Sequence, residues 1–421
     1  MNKITFAFKN ITGQRSGRIE QKWNYDSGSL LLSSPIIEDI DGDGKKEIIF
    51  GTKNGKIVSI DLEGKSKWVY DAEEQHSQVE LMFLDTDKAN SINSTPNIAD
   101  INGDGQKEIV FGTEAGRIYV LDNKGKQVWT YKTEGPIRGT PFIQKFANNQ
   151  TGILFGSGDK NLYFLNAKGQ LLWRYNAKSE IESTPTILIS QKPLIIFGSN
   201  DGMIHALDLK GTIVWQYKTE DKIIAQAACE KLTPSSEHSI IVGSTDGIIY
   251  CLNDHGNLMW TYETDGAICS KACIGDINGD GKKEIIVGSC DNSVYTLDYS
   301  GKKLWSYETD FWIVASPIIA DLDGDGKMEI VVGSYDHNIY VLDSEGSYVL
   351  DYVPGVSGIV AQTGNYGEAL TSGPGKTKGK KIWQYKTDGV VVGCAYLSSD
   401  KSLIVNTESG NIKDLIHKNE D

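Results

Sequence analysis

Short apolar runs alternate with glycine-rich polar turns along almost the whole chain, the pattern of many short strands rather than of helices. One phrase recurs. A β-branched run ends in Gly-Ser or Gly-Thr, a turn follows, a second short run closes on Asp or Asn, and then comes G-x-x-x-W-x-Y. It first runs from Gly51 to Tyr70, and returns from Gly112 to Tyr131, Gly156 to Tyr175, Gly198 to Tyr217, Gly243 to Tyr262 and Gly288 to Tyr307. A seventh copy, Gly333 to Tyr352, keeps the spacing but has Leu350 where tryptophan is expected. Trp129, Trp173, Trp215, Trp260 and Trp305 mark the period, 42–45 residues apart.

Each period carries four strand signals. Strand A is a stretch such as Thr140-Pro141-Phe142-Ile143, B one such as Glu108-Ile109-Val110-Phe111, C one such as Ile118-Tyr119-Val120-Leu121, and D holds the W-x-Y. Four antiparallel strands repeated at this period form the blade of a β-propeller. An orphan D strand, Lys22 to Tyr25, stands near the N-terminus, and an orphan A–B–C set stands near the C-terminus at Val390 to Ala395, Leu403 to Asn406 and Ile412 to Ile416. Joined, they make an eighth blade that closes the ring and removes its exposed edges. The expectation is an all-β, eight-bladed propeller over residues 18–416, with an N-terminal extension (1–17) and a C-terminal tail (417–421). Two insertions are expected, at about 71–91 and 353–380. A D-like strand at Lys381 to Tyr385 follows the second one and leaves a ninth blade as the alternative.

Composition narrows the classes. Lys and Arg number 42 against 56 Asp and Glu, so the net charge of −14 disfavours nucleic acid and anionic membranes as partners. No apolar run approaches the roughly 20 residues of a membrane span. The first 18 residues lack the apolar core of a signal peptide. Six cysteines without a C-x-x-C pair read as small buried thiols of a reducing compartment, so the expected location is cytoplasmic and the expected state monomeric.

The chemistry-bearing motif lies between strands A and B. Four repeats contain D-x-(D/N)-G-D-G-x-x-E: Asp39, Asp41, Asp43 and Glu47; Asp100, Asn102, Asp104 and Glu108; Asp276, Asn278, Asp280 and Glu284; Asp321, Asp323, Asp325 and Glu329. Calcium takes roughly six to eight hard oxygens in flexible geometry. Side chains at positions 1, 3, 5 and 9, with the carbonyl at position 7 (Lys45, Gln106, Lys282, Lys327), supply them from one loop. Up to four structural Ca²⁺ ions are therefore expected, on blades one, two, six and seven. Metal-free Asp/Gly turns are the alternative, but like-charged carboxylates at close range repel unless a cation intervenes.

The loops before Phe50-Gly51 and Phe111-Gly112 resemble FG-GAP repeats. The element Leu207-Asp208-Leu209-Lys210-Gly211 to Trp215-Gln216-Tyr217 is similar to the tryptophan-docking repeat of quinoprotein propellers. Together these likenesses cover nearly all of residues 18–416. They imply a propeller, commonly eight-bladed, and say little of function, since such propellers serve as dehydrogenases, assembly factors, lectins and adhesion proteins. The adjacent cysteines that often flank the quinone in such dehydrogenases are missing, which argues against pyrroloquinoline quinone.

Aligning the innermost strands gives a candidate pocket. One inner row reads Leu32, Asn93, Arg138, Glu182, Ile224, Cys269, Val314, Val392; the rows two residues before and after include Lys222, Trp312 and Lys271. Asn93, Arg138, Glu182, Lys222, Lys271 and Trp312 break the repeat and are the candidate ligand-binding residues at the channel mouth. The competing reading makes Arg138 and Glu182 an inter-blade ion pair. No G-x-S-x-G or H-E-x-x-H occurs, and the six histidines are dispersed. Two functions follow: a scaffold holding a protein or glycan, or an enzyme with Arg138 holding an anion and Glu182 and Lys271 as acid and base.

Overall fold

The computed structural model describes residues 18–72, 90–146, 151–344, 347–349, 376–378, 381–399 and 401–418. Eight antiparallel sheets follow one another around a ring, and among the described residues there is no helix. Blade one is typical: Ile36–Glu38, Glu47–Gly51, Lys56–Asp61 and Ser66–Asp71 are its strands A to D. Strand B is buried along its length because it faces sheets on both sides. Strand D alternates exposed and half-buried positions, its Trp and Tyr turned inward.

The core lies between blades. Each of eight apolar clusters joins two neighbours, as when Ile49 and Ile57 of blade one pack with Ile109, Phe111 and Tyr119 of blade two. Two repeated contacts explain the sequence phrase. Strand B ends in glycine because an isoleucine of the next blade lies against it: a Cβ on Gly198 would stand 2.0 Å from Ile223 Cγ2. The glycine of the C–D turn receives the tryptophan of the preceding blade. At Gly169 (φ +76°) a Cβ would meet Trp129 Cε3 at 2.7 Å, and the indole N–H donates to the Ala167 carbonyl at 2.9 Å. The same bond runs from Trp23, Trp68, Trp173, Trp215 and Trp305 to carbonyls one blade on.

Blade eight closes the ring as the sequence predicts. Arg18–Asp26 is its strand D, beside Asn411–Lys418, Ser402–Thr407 and Val391–Leu397. The seam is sealed by Leu31, Phe50 and Ile60 against Ile404 and Ile412, and by Asn406 Nδ2 donating to the Ser33 carbonyl at 2.7 Å.

Blade seven differs from the sequence reading. Its strand D is Lys381–Lys386, paired with Asn338–Asp343, so Trp383 takes the strand D tryptophan position that the spacing gives to Leu350. The extra residues therefore fall inside blade seven, between strands C and D, and among the described residues there is no ninth blade. Indole burial explains the choice, since Trp383 packs into the blade seven–eight cluster. From the inserted stretch, Ser347–Val349 and Lys376–Lys378 pair with each other, and Lys378 bridges in parallel to Ser306 at the outer edge of blade six. The apolar patch at 79–84 and the Pro/Gly segments at 354–355 and 373–375 lie outside the described residues, as does the N-terminal extension.

Candidate functional site

The residues around the channel precede strand A. Alternation starts before the ladder does: Leu31, Ser33 and Pro35 are buried while Leu30, Leu32 and Ser34 face the opening. A hydrogen bond repeats in all eight blades to fix this segment. The residue after each Gly-Ser/Thr, or after Thr407 in blade eight, donates its N–H to the segment's first carbonyl. The pairs are Lys53–Leu30, Glu114–Ser91, Gly158–Pro136, Asn200–Glu180, Thr245–Lys222, Cys290–Ala267, Tyr335–Trp312 and Glu408–Val390, at 2.8–3.0 Å. The B–C turns thus lie at the channel mouth, beside the inner rows. The sequence reading missed this turn position, although its variability (Glu114, Asn200, Cys290, Tyr335) is a signal of the same kind as that of the inner rows.

Three of the six candidate residues come together. Arg138 gives Nε and Nη2 to the two oxygens of Glu114 (2.7 and 3.0 Å) and Nη1 to Glu182 (2.8 Å). Asn93 Nδ2 donates to Glu114 at 2.7 Å, and Asn200 Nδ2 to Glu182 at 3.0 Å. The Glu114 side chain is only 6% exposed, so its charge needs that guanidinium. Hydrogen bonding to Glu114 raises the Arg138 pKa further above its ordinary value. A guanidinium engaged on both edges is a structural tie across blades two, three and four and has little left to hold an anion.

The other three stand apart. Lys222 is exposed, and its backbone carries the contacts to Thr245. Lys271 projects into the channel, lining a cavity of about 510 Å³ with Ser34, Thr95, Thr140, Thr184, Gln226 and Ser316. Trp312, 46% exposed, stacks on Phe311 (ring centroids 5.1 Å) and leans on Tyr335 (6.4 Å), making an aromatic corner. Charge thus gathers on blades two to four and aromatic surface on blade seven.

The four acidic loops share one geometry. The Asp at position 1 accepts the N–H groups of positions 4 and 6: Asp39 from Gly42 (2.7 Å) and Gly44 (3.0 Å), with matching bonds at Asp100, Asp276 and Asp321. Positions 3 and 5 accept the N–H two residues on, as Asp43 does from Lys45, Asp104 from Gln106, Asp280 from Lys282 and Asp325 from Lys327. Glu47, Glu108, Glu284 and Glu329 are buried, and each accepts the N–H of position 2. In two loops, Asp39, Asp41, Asp43 and Asp321, Asp323, Asp325, one oxygen per carboxylate lies within 4.8 Å of the others.

A hydrogen-bond donor reaches the position 9 carboxylate in three of the loops, an ammonium in one and a neutral amide in two. In blade one the Lys67 ammonium meets Asp41 at 2.8 Å and Glu47 at 2.7 Å. In blades two and six the amides of Asn102 and Asn278 donate to Glu108 (2.9 Å) and Glu284 (3.0 Å). Burial, aided by the neighbouring aspartates, pushes Glu108 and Glu284 above the usual carboxylate range. That is the electrostatics of a site that favours a cation, and the oxygen-only donor set fits calcium.

Of the six cysteines, expected as small buried thiols, Cys251 is fully buried and the other five are half-buried, and none is in a disulfide. The fold and the mouth define a closed β-propeller whose blades dock by tryptophan and isoleucine. Residues 92–361, more than half the chain, match the family described as the β-propeller of the beta-alanine-activating enzyme, and the chain belongs to that family. Among solved structures it is similar to BamB from Moraxella catarrhalis, at 17% identity and a TM-score of 0.64, covering 96% of this chain and 99% of that one. It is also similar to BBS1N in complex with ARL6DN, at 13% identity and a TM-score of 0.51, covering 78% and 92%. At these identities the likeness is one of fold. No curated protein matches the sequence.

Proposed function

We propose that this propeller is a calcium-braced scaffold whose channel-mouth face binds a protein partner. The observation that carries the reading is the division of the mouth. Its charged side (Asn93, Glu114, Arg138, Glu182) is closed on itself, while Phe311 and Trp312 stay exposed at 45% and 46% on a rigid rim. Exposed aromatic anchors on a preorganised surface are the usual core of a protein interface. One structural neighbour, BBS1N, was solved in complex with ARL6DN, so a propeller of this fold can act in that way. A glycan stacking on Trp312 is the second reading, favoured by the flat pairing of its ring with Phe311.

Calcium would be held by the carboxylates of Asp39, Asp41, Asp43 and Glu47 and by their counterparts in the other three loops. Bound there, the ion supplies charge neutralisation and ties strand A to strand B; no reaction is assigned to it. Six cysteines without a disulfide accord with the cytoplasm as the working compartment.

Native mass spectrometry of the protein from its source, with and without chelator, tests both parts. The expected result is loss of up to four calcium masses on chelation with a lower melting temperature, and a partner mass that disappears in a Phe311→Ser/Trp312→Ser variant. An unchanged mass and melt under chelator would remove the brace. A partner or glycan retained by the double variant would remove the docking face.

A further inference from the structure

Blade six replaces a polar pair of the channel mouth by two thiols. In blade two the inner-row residue Asn93 meets the turn residue Glu114, and in blade four Glu182 meets Asn200, at 2.7 and 3.0 Å. The same two positions in blade six are Cys269 and Cys290, whose sulfurs lie 4.0 Å apart. The turn that carries Cys290 is tied to the inner segment, Cys290 by its N–H on the Ala267 carbonyl at 3.0 Å and Ser289 by its hydroxyl on the Gly266 carbonyl at 3.1 Å. We propose that Cys269 and Cys290 are a reversible disulfide pair, a redox modification site set into the channel mouth and formed by thiol exchange with a low-molecular-weight disulfide.

The fold already converges these side chains, as the direct contacts in blades two and four show. Closing 4.0 Å to the roughly 2.05 Å of a sulfur–sulfur bond brings the two sulfurs about 2 Å closer. The pair is reachable, since both cysteines are partly exposed and Cys269 lines the 510 Å³ channel cavity. The order of attack follows from the pair's own hydrogen bond. Either sulfur can donate in this contact; with the proton on Cys269, the Cys290 thiol is held below its usual pKa and Cys269 is pushed up. The thiolate is the nucleophile.

The exchange balances. Cys290 sulfur, its proton given to solvent, attacks one sulfur of the small disulfide, forming a mixed disulfide and expelling one thiolate. Cys269 then attacks the Cys290 sulfur, a second thiolate leaves, and the Cys269 proton ends on a leaving group. Two protein thiols are oxidised and one small disulfide is reduced to two thiols. The other cysteines are poor competitors. Cys251 is enclosed, burial pushes Cys229 and Cys394 up to about 12, and burial raises Cys273 as well.

The test is thiol counting on the full chain after incubation with oxidised glutathione, alkylation under denaturing conditions and intact-mass measurement. The expected product has four alkylated cysteines instead of six, a Cys269–Cys290 linked peptide on digestion, and six again after dithiothreitol. A Cys269→Ser variant is expected to stop with one glutathione on Cys290, and Cys290→Ser to keep five free thiols. Six alkylated cysteines in the treated native chain, or a linked peptide containing any of the other four, overturns the proposal. The native chain carries the primary readout, so the experiment decides even where a variant is unstable. The outcome is independent of calcium and of any partner.

Discussion

Five blades place a tyrosine on strand C opposite the end of strand B: Tyr119, Tyr163, Tyr250, Tyr295 and Tyr340. Blade four has His205 there, wholly buried and stacked on Phe197 at 4.6 Å. Its Nδ1 accepts from Gln216 and its Nε2 donates to the Ser199 hydroxyl, both at 3.0 Å, so the neutral ring is satisfied. Burial lowers its pKa to about 4 from an ordinary 6.5, with Asp201 only partly opposing. Because the folded value is depressed, the unfolded chain takes the proton first as pH falls. The stability of the neutral buried ring is complete above the unfolded pKa of 6.5, and it is lost progressively as pH drops toward 4.

The full shift corresponds to about 3 kcal/mol, and between pH 7 and 5 the loss is about 2 kcal/mol. Comparing the native chain with His205→Tyr isolates this term from the many carboxylates, which both proteins share. The variant fits the repeat, since Asp201 stands where Asp159 receives the Tyr163 hydroxyl at 2.7 Å. Urea unfolding followed by tryptophan fluorescence at the two pH values gives the difference directly. The native chain is expected to lose about 2 kcal/mol more than the variant. Equal losses would refute the buried neutral histidine.

Other expectations follow from the same contacts. Gly169→Ala forces a methyl toward Trp129 at a left-handed φ and is expected to cost about 2–4 kcal/mol in urea unfolding; an unmoved midpoint would contradict tryptophan docking. Arg138→Met leaves Glu114 buried without its cation and is expected to cost about 3 kcal/mol, whereas Lys222→Met at an exposed site changes stability by less than about 0.5. Similar melts for the two variants would sink the tie. Lys67→Met removes an ammonium held by Asp41 and Glu47, so calcium is expected to raise the melting temperature of the variant more than that of the native chain; equal increments would show that Lys67 and calcium do not compete. Trp23→Ala is expected to cost about 3 kcal/mol, with hydrogen-exchange protection lost first in blades eight and one; uniform loss would argue against a local seam.

The ring is legible in the sequence because its contacts are periodic: tryptophan needs a glycine one blade on, and isoleucine needs another, so both recur with the blade. Blade seven departs from that reading where the period is kept but the chemistry is not. Leu350 has the spacing, yet Trp383 has the indole, and it is the indole that is buried in the blade seven–eight cluster. The channel mouth is legible by half. Asn93, Arg138 and Glu182 stand out within aligned rows, whereas Glu114, Asn200 and Cys290 reach the same place from a turn, a juxtaposition that only the folded blade makes.

Closure also shapes how the ring is reached. Asn24 and Asn411 share a hydrogen bond across 387 positions of chain, so the first strand stays unpartnered until the last one exists. Until then blades one to seven form an arc with raw edges, and the apolar side chains of Leu31, Phe50 and Ile60 lie open at one end of it. Bringing free chain ends together over such a span would be slow. The arc shortens the search, because each blade added turns the growing end back toward the first. Ring closure is therefore expected to come late in assembly, and a chain in which strand Asn411–Lys418 is delayed is expected to expose the apolar edge of blade one.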